Sequence, residues 1–230
     1  MKNSKSKPVL HNHDIFFGCD PEFFLKRQGS IVASSEAIPE EGFTTPGFSG
    51  LTTPLKPTGW VRDGIQVEIH PYQSGCRAQI ANHIRIGFRK LVGFQEKIRM
   101  LPEDYEICFD EVVILTPEEL ESIPEESRVL GCLRSENFYD PNAGIGVESN
   151  CLVRSAGGHI HVELSNHTLF KNRIRLVPLF DVLVGLPFVL IDRNPLVRER
   201  RKIYGRAGEY RLPPYGIEYR TPSNFWLRHN

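Results

Sequence analysis

Residues 154–164 read RSAGGHIHVEL. Successive side chains of an extended strand point to opposite faces. His159, His161 and Glu163 therefore share one face, and Ile160 and Val162 share the other. The apolar face asks for a core to pack on. The other face gathers three titratable groups, as a solvated surface or as the floor of a site.

The same i, i+2 spacing of polar groups recurs in each strand-like segment. DIFFGCDPEFFL (14–25) carries Asp20 and Glu22. GIQVEIHP (64–71) carries Glu68 and His70. YGRAGEYRLPPYGIEYRTPSNFW (204–226) reads as a hairpin about a Leu212–Gly216 turn, with Glu209 and Arg211 on one arm and Glu218 and Arg220 on the other. One such pair is what any half-exposed strand shows. Five pairs mixing carboxylate, imidazole and guanidinium point to faces that converge.

Converging carboxylates are hard oxygen ligands for Mg²⁺ or Mn²⁺, and an imidazole leans the set toward Mn²⁺. Arginines beside them offer forked donors for phosphate oxygens. Such a combination suits a nucleoside triphosphate, because phosphoryl transfer needs mainly positioning and charge neutralisation. The sequence has neither G-x-x-x-x-G-K-[ST] nor G-x-G-x-x-G. Metal and arginines would then have to hold the phosphates.

The remaining segments frame these strands. SIVASSEAI pairs back on the first strand across Gly29-Ser30. Residues 39–60 are rich in proline and glycine and form a long loop. AQIANHIRIGFRKLVGFQEKIRM (78–100) places Ile80, Ile84, Phe88, Leu91 and Ile98 at near-helical spacing. EVVIL (111–115) is a strand. Thr116 caps a short helix with Pro117 at its first position. RIRLVPLFDVLVGLPFVLID (173–192) is apolar on most sides and predicts a buried helix bent or broken at Pro178 or Pro187. Strands and helices do not alternate regularly, so the expected class is α+β, a mainly antiparallel sheet with helices packed on one face. No repeat and no linker divides the chain, and 230 residues at 40% hydrophobic suffice for one sizeable core or at most two small ones. Residues 1–13 read as a disordered leader before one domain over 14–230.

Lys+Arg and Asp+Glu are both 28, so the net charge gives no reason to expect nucleic acid or an anionic membrane as partner. No secretion signal opens the chain, and no stretch is expected to span a bilayer. Five cysteines without a C-x-x-C pair fit a reducing cytoplasm.

In this order the segments resemble the glutamine synthetase superfamily. FGCDPEFFL resembles its first active-site strand, DGIQVEIHP the strand that adds a further metal-binding glutamate, and SAGGHIHV its G-x-H-x-H element. YGRAGEYR and GIEYRTPSNFW resemble its closing strands. The chain is short for a glutamine synthetase and looks closer to the compact carboxylate-amine ligases (amidoligases) of bacteriophages. There D-P-E-F, a D-G-x-x-x-E strand, a G-C element (Gly131-Cys132), G-G-H-I-H and E-Y-R-x-x-S-x-x-W, here completed by Ser223 and Trp226, recur together.

The resemblance implies a glutamine synthetase-like catalytic domain and an ATP-dependent ligase using two or more Mg²⁺ (or Mn²⁺) ions. A carboxylate and an amine, small-molecule or peptide, would be joined through an acyl phosphate in the cytoplasm of a bacterial host. Asp20, Glu22, Glu68, His159 and Glu218 would bind metal. His161, Arg206, Arg211 and Arg220 would contact ATP, phosphate or substrate, with Arg220, Arg206 and His161 in the catalytic roles. Asp20 stands where the synthetase has a longer glutamate. Residues 39–60 would be a lid, a homo-oligomer is compatible, and a further helix beyond Asn230 would make this a shortened domain. A metal-dependent amide hydrolase is the alternative chemistry, since H-x-H with carboxylates also suits water activation. A non-catalytic, virion-associated relative is the other.

Overall fold

The computed structural model describes residues 14–38, 41–43, 59–93, 101–128, 135–142 and 151–229. The predicted leader, residues 44–58 of the predicted lid, Ile98 and Gly131-Cys132 lie outside them.

The spine of the fold is β1, Ile15–Arg27, 13 residues long. It folds back into β2, Ser30–Val32, through Gln28 and Gly29, both at positive φ, as a two-residue hairpin turn of this twist requires. A short helix α1 (Ser34–Ala37), β3 (Glu41–Phe43), β4 (Gly59–Asp63) and β5 (Gln66–His70) follow. Part of the predicted 39–60 loop is therefore strand. Helix α2, Arg77–Val92, stops where Gly93 turns left-handed at φ 68°, short of the predicted end at 100. Next come β6 (Tyr105–Cys108), β7 (Val112–Ile114), α3 (Pro117–Ser122) and α4 (Glu125–Arg128). The predicted cap is present: Thr116 Oγ1 accepts from the Glu119 N–H at 3.1 Å, and Glu119 returns a bond to the Thr116 N–H at 2.8 Å. Then β8 (Glu136–Asn137), β9 (Val153–Ser155), β10 (Gly158–Leu164) and α5 (His167–Lys171) lead to a long helical segment. Helix α8 (Val197–Ile203; α6 and α7 lie in that segment) and the hairpin β11 (Glu209–Arg211) and β12 (Gly216–Tyr219) close the chain, with a final 3₁₀ turn over Asn224–His229.

Ten strands form one sheet whose main path runs β3-β4-β5-β1-β10-β12-β11-β8, and every pairing is antiparallel. β1 changes partners at Pro21. Residues up to Pro21 pair with β10, Glu22 and Phe23 pair with β5, and the last residues pair with β6 and β2. A proline, which lacks the N–H of a ladder, is tolerated at such a change.

One face of the sheet is apolar. Phe23, Val67, Ile69 and Leu91 form its core under α2, and Val162, Ile217 and Val177 form a second core under α5 and the long helical segment. The opposite face carries the acids and histidines. At one end of it Phe24, Ile65, Val113, Leu115 and Ile123 pack beneath the β7–β9 ribbon and α3. Helices on one face alone therefore describes α2 and the Arg173–Ile191 segment, and not α3 or α8, which packs against β7 and β9.

The segment Arg173–Ile191 departs from expectation. It runs continuously through a 3₁₀ turn, α6 (Leu176–Phe180), a π turn at Asp181–Gly185 and α7 (Leu186–Ile191). Neither Pro178 nor Pro187 breaks it. Nor is it buried: Leu179, Val182, Leu183, Leu186 and Leu190 are exposed. Its 19 residues are long and apolar enough to cross a membrane by length and composition alone, contrary to the expectation that no stretch would be.

Candidate active site

Register brings the polar pairs together. Asp20 lies opposite His159, His161 opposite Glu218, Glu22 opposite Glu68, and Arg211 opposite Glu218. Directly opposed residues of an antiparallel pair project to the same face. Six side chains from β1, β5, β10 and β12 thus meet on the side of the sheet opposite the apolar face.

His159 is the hub and is 1% exposed. Its Nδ1 stands 3.0 Å from Asp20 Oδ1, 3.6 Å from Glu218 Oε1 and 3.8 Å from Glu22 Oε1. Its Nε2 meets the Tyr204 hydroxyl at 2.9 Å. The same hydroxyl accepts from Arg220 Nε. Arginine can only donate, so the phenol proton is directed to His159 Nε2, which favours the tautomer with its proton on Nδ1, facing the acids. Two guanidinium groups lie over the Tyr204 ring, Arg220 at 5.0 Å and the fully buried Arg200 at 5.2 Å.

His161 donates or accepts at both nitrogens, Nε2 with Asp20 Oδ2 at 2.8 Å and Nδ1 with the Tyr215 hydroxyl, whose ring stacks on it. Burial resists a charge on Asp20, but the His159 and His161 imidazoles outweigh it and hold the carboxyl well below its usual range. Burial likewise resists a proton on His161, and Asp20, then Glu218 and Glu68, raise its pKa nonetheless.

Glu22 is anchored by two donors on Oε2, the Gly157 N–H at 2.6 Å and Gln66 Nε2 at 2.8 Å. Burial pushes its pKa up to about 7; His159 opposes the shift and Asp63, Glu68 and Asp20 add to it. Glu68 is pushed well above its ordinary value, by burial first and then by Asp20 and Asp63. His70 Nε2 contacts Glu68 Oε1.

The sequence motifs have local reasons. A Cβ on Gly158 would meet Trp226 Nε1 at 2.3 Å and the Ser223 carbonyl at 2.7 Å, so the glycine lets the last turn close over β10. Asn224 Nδ2 bonds the Glu22 carbonyl at 2.8 Å, and Ser223 Oγ donates to Asp192 at 2.9 Å.

The arginines divide. Arg211 grips Glu218 with two bonds of 2.7 Å, and the fully buried Arg220 stands 3.3 Å from the same carboxylate. Arg206 is exposed, and its guanidinium donates to the Arg201 carbonyl at 3.0 Å and the Lys202 carbonyl at 2.5 Å, at the end of α8. None of those bonds is to the acids. Arg154, which precedes the G-G-H element, is buried against the carbonyls of Cys151, Val153 and Arg128.

Asp63, Gln66, Tyr204 and Tyr215 belong to the same face; Gln66 stands two before Glu68 but is not titratable, and the other three escape the i, i+2 pattern. Asp63 ends β4 beside Gln66, so only the pairing of β4 with β5 reveals it. Tyr204 follows α8 and Tyr215 lies in the hairpin turn, where strand alternation carries no information.

Two sets of ligand atoms lie within 4.8 Å of one another: Asp20, His161 and Glu218, and Glu22, Asp63 and Glu68. Both fit a hard divalent cation, with carboxylate oxygens dominant and one imidazole in the first. Asp20 Oδ1 is buried and accepts no hydrogen bond, although His159 Nδ1 lies 3.0 Å away and bonds Oδ2 at 3.1 Å. A cation would satisfy that oxygen.

Residues 152–230 match the family described as Phage phiEco32-like COOH.NH2 ligase-type 2. The match covers His159, His161, Tyr204, Arg211, Glu218 and Arg220, and leaves Asp20, Glu22, Asp63 and Glu68 outside it. No curated protein and no solved structure matches the chain.

Proposed function

We propose that this chain is an ATP- and divalent-metal-dependent ligase that joins a carboxylate to an amine through an acyl phosphate, on a glutamine synthetase-like domain. The carrying observation is the convergence of His159, His161, Glu218 and Arg220, all within the ligase-like segment, with Asp20, Glu22 and Glu68 from two strands outside it.

Asp20, His161 and Glu218 would hold one metal ion, and Glu22, Asp63 and Glu68 another. Bound there, divalent cations supply charge neutralisation for triphosphate oxygens and orient them. His159 and Tyr204 position the carboxylates and Arg220. Arg211 is partly exposed and Arg220 buried, so Arg211 is the guanidinium that can turn from Glu218 to an arriving phosphate. The acceptor carboxylate oxygen bonds to the γ-phosphorus as the bond to ADP breaks. The amine nitrogen then bonds to the acyl carbon, the carbon–oxygen bond to phosphate breaks, and the amine loses a proton. Positive charge from Arg220 and Arg211 stabilises the oxygens of both steps. His161, held between Asp20 and Tyr215, is the partly buried imidazole at the rim and the contact for a phosphate or substrate carboxylate. The arginine pair favours this reading over amide hydrolysis, which has no triphosphate to hold.

Titration of the chain with a non-hydrolysable ATP analogue, with and without Mg²⁺, tests the proposal. Binding that requires Mg²⁺ and is lost in Glu218→Ala is expected. A folded chain that binds no nucleotide at any metal concentration overturns it.

A further inference from the structure

The outward face of the Arg173–Ile191 helix takes no part in that chemistry. Among the described residues, eight of the thirteen exposed large hydrophobic side chains belong to it, with Leu183 at 63% and Leu190 at 72% exposure. Leu179, Leu183, Leu186 and Leu190 follow the four-three-four spacing of a coiled-coil seam. All four stay exposed although the π turn lies between them.

The inward face is fastened to the sheet. Phe180 packs on Tyr219 at 5.4 Å, Phe188 on Phe225 at 4.8 Å, and Asp181 accepts from the Tyr219 hydroxyl at 2.6 Å and the Gly208 N–H at 3.1 Å. A Cβ on Gly185 would reach the Tyr219 hydroxyl at 2.3 Å, so helix and sheet are in direct contact there. The helix cannot leave the sheet to cross a bilayer without breaking these contacts. Nor does it resemble a helix lying on lipid, which carries Lys or Arg along the edge of its apolar face. Between Leu176 and Ile191 the only charged residue is Asp181, and it is turned inward.

A face without charge offers nothing to an acidic or basic partner and is complementary to itself. Eight aliphatic side chains, mostly half exposed or more, leave several hundred Å² of apolar surface, on the order of the ~800 Å² per partner that a standard interface buries. An antiparallel pairing also sets the exposed Arg175 of one copy at the carbonyl end of the other helix, where the helix dipole favours a cation.

We infer that this face is a two-fold interface at which two copies of the chain pack antiparallel through Leu179, Leu183, Leu186 and Leu190. The inference stands independently of the ligase reading, since none of these residues contacts the acids or arginines of the site.

Sedimentation equilibrium of the wild-type chain, compared with Leu183→Glu/Leu186→Glu, tests it. Both positions are exposed in the single chain, so the variant is expected to fold, and its thermal melt checks this. The expected result is a wild-type dimer and a monomeric variant with association weakened at least about a hundredfold. As a second measurement, Leu183→Cys/Leu186→Cys should form an oxidised covalent dimer, and Ile114→Cys, exposed on β7, should not. A wild-type monomer at about 100 μM overturns the inference, and its co-sedimentation with phosphatidylserine-containing vesicles would reassign the face to lipid. A dimer that survives the glutamates and is not cross-linked places the interface elsewhere and overturns it too.

Discussion

A Cβ on Gly157 would stand 2.3 Å from Nε2 of His159. The backbone before β10 passes the imidazole with no room for a side chain, and the same residue donates its N–H to Glu22. Gly157→Ala is expected to displace both His159 and Glu22, to cost about 1–3 kcal/mol in a denaturant melt, and to abolish Mg²⁺-dependent nucleotide binding. Gly29→Ala meets no atom but must hold φ at +86°, so it should cost about 1–2 kcal/mol and leave binding intact. Normal binding by Gly157→Ala would mean that the position of His159 is not required.

Tyr204→Phe removes the hydroxyl shared by His159 Nε2 and Arg220 Nε. Leaving two buried polar groups short of a partner should cost about 1–3 kcal/mol. The tautomer of His159 also loses its constraint. Nitrogen NMR of the imidazole should then move from a predominantly Nδ1-protonated signature toward a mixture. An unchanged spectrum would show that Asp20 alone sets the tautomer.

The pH dependence of the metal-free chain has a definite sign. The Glu22 carboxyl is raised from 4.5 to about 7, so its contribution to stability is complete below about 4.5 and is lost as pH rises through about 7. Glu68 is shifted in the same direction, and the raised imidazole of His161 also loses its contribution as pH climbs. Asp20 is shifted oppositely, keeps its contribution above its ordinary 3.8, and loses it only as acid carries the pH below that. Between pH 5.5 and 8 the glutamates and His161 dominate. Tm without metal should fall over this range, and the rise in Tm on adding Mg²⁺ should be larger at pH 8. Glu22→Gln, which keeps an acceptor oxygen for Gly157 and Gln66, should flatten both trends. A metal-free Tm that climbs toward pH 8 would contradict the assignment.

Arg211→Ala separates the two partners of Glu218. The carboxylate loses a bidentate ion pair and keeps Arg220. Nucleotide affinity should fall roughly tenfold to a hundredfold, the worth of one charge-assisted contact of about 1.5–3 kcal/mol. Affinity for Mn²⁺ alone should rise, because Glu218 no longer has to be taken from an arginine. Equal losses for both ligands would show that Arg211 acts by holding the hairpin in place.

Strand faces were legible in the sequence because their period of two is rigid. Once β1, β5, β10 and β12 were recognised, Asp20, Glu22, Glu68, His159, His161 and Glu218 had to fall on alternating positions, and the structure places them on one face. Register was not legible: nothing local sets Glu22 against Glu68 or brings Asp63 beside them. Tyr204 and Tyr215 sit outside strands, so no periodicity marks them. Arg206 shared a glycine-rich, basic segment with Arg211 and Arg220, yet a turn before β11 directs it to the end of α8. The composition of Arg173–Ile191 predicts a buried helix because hydrophobicity reports what a side chain avoids and not what covers it.

Asp20 and His159 are 139 positions apart in the chain. At a synthesis rate of about 5–20 residues per second, β1 leaves the ribosome roughly 7–30 s before the strand that completes it. Throughout that interval Ile15–Pro21, the stretch of β1 that pairs with β10, lacks its partner along that edge, and a slip of one position would turn Asp20 and Glu22 toward the oily side. Newborn chains are therefore most vulnerable to sticking to one another before β10 emerges, and production of the protein should respond more strongly to slower translation or added chaperone than its final stability would suggest.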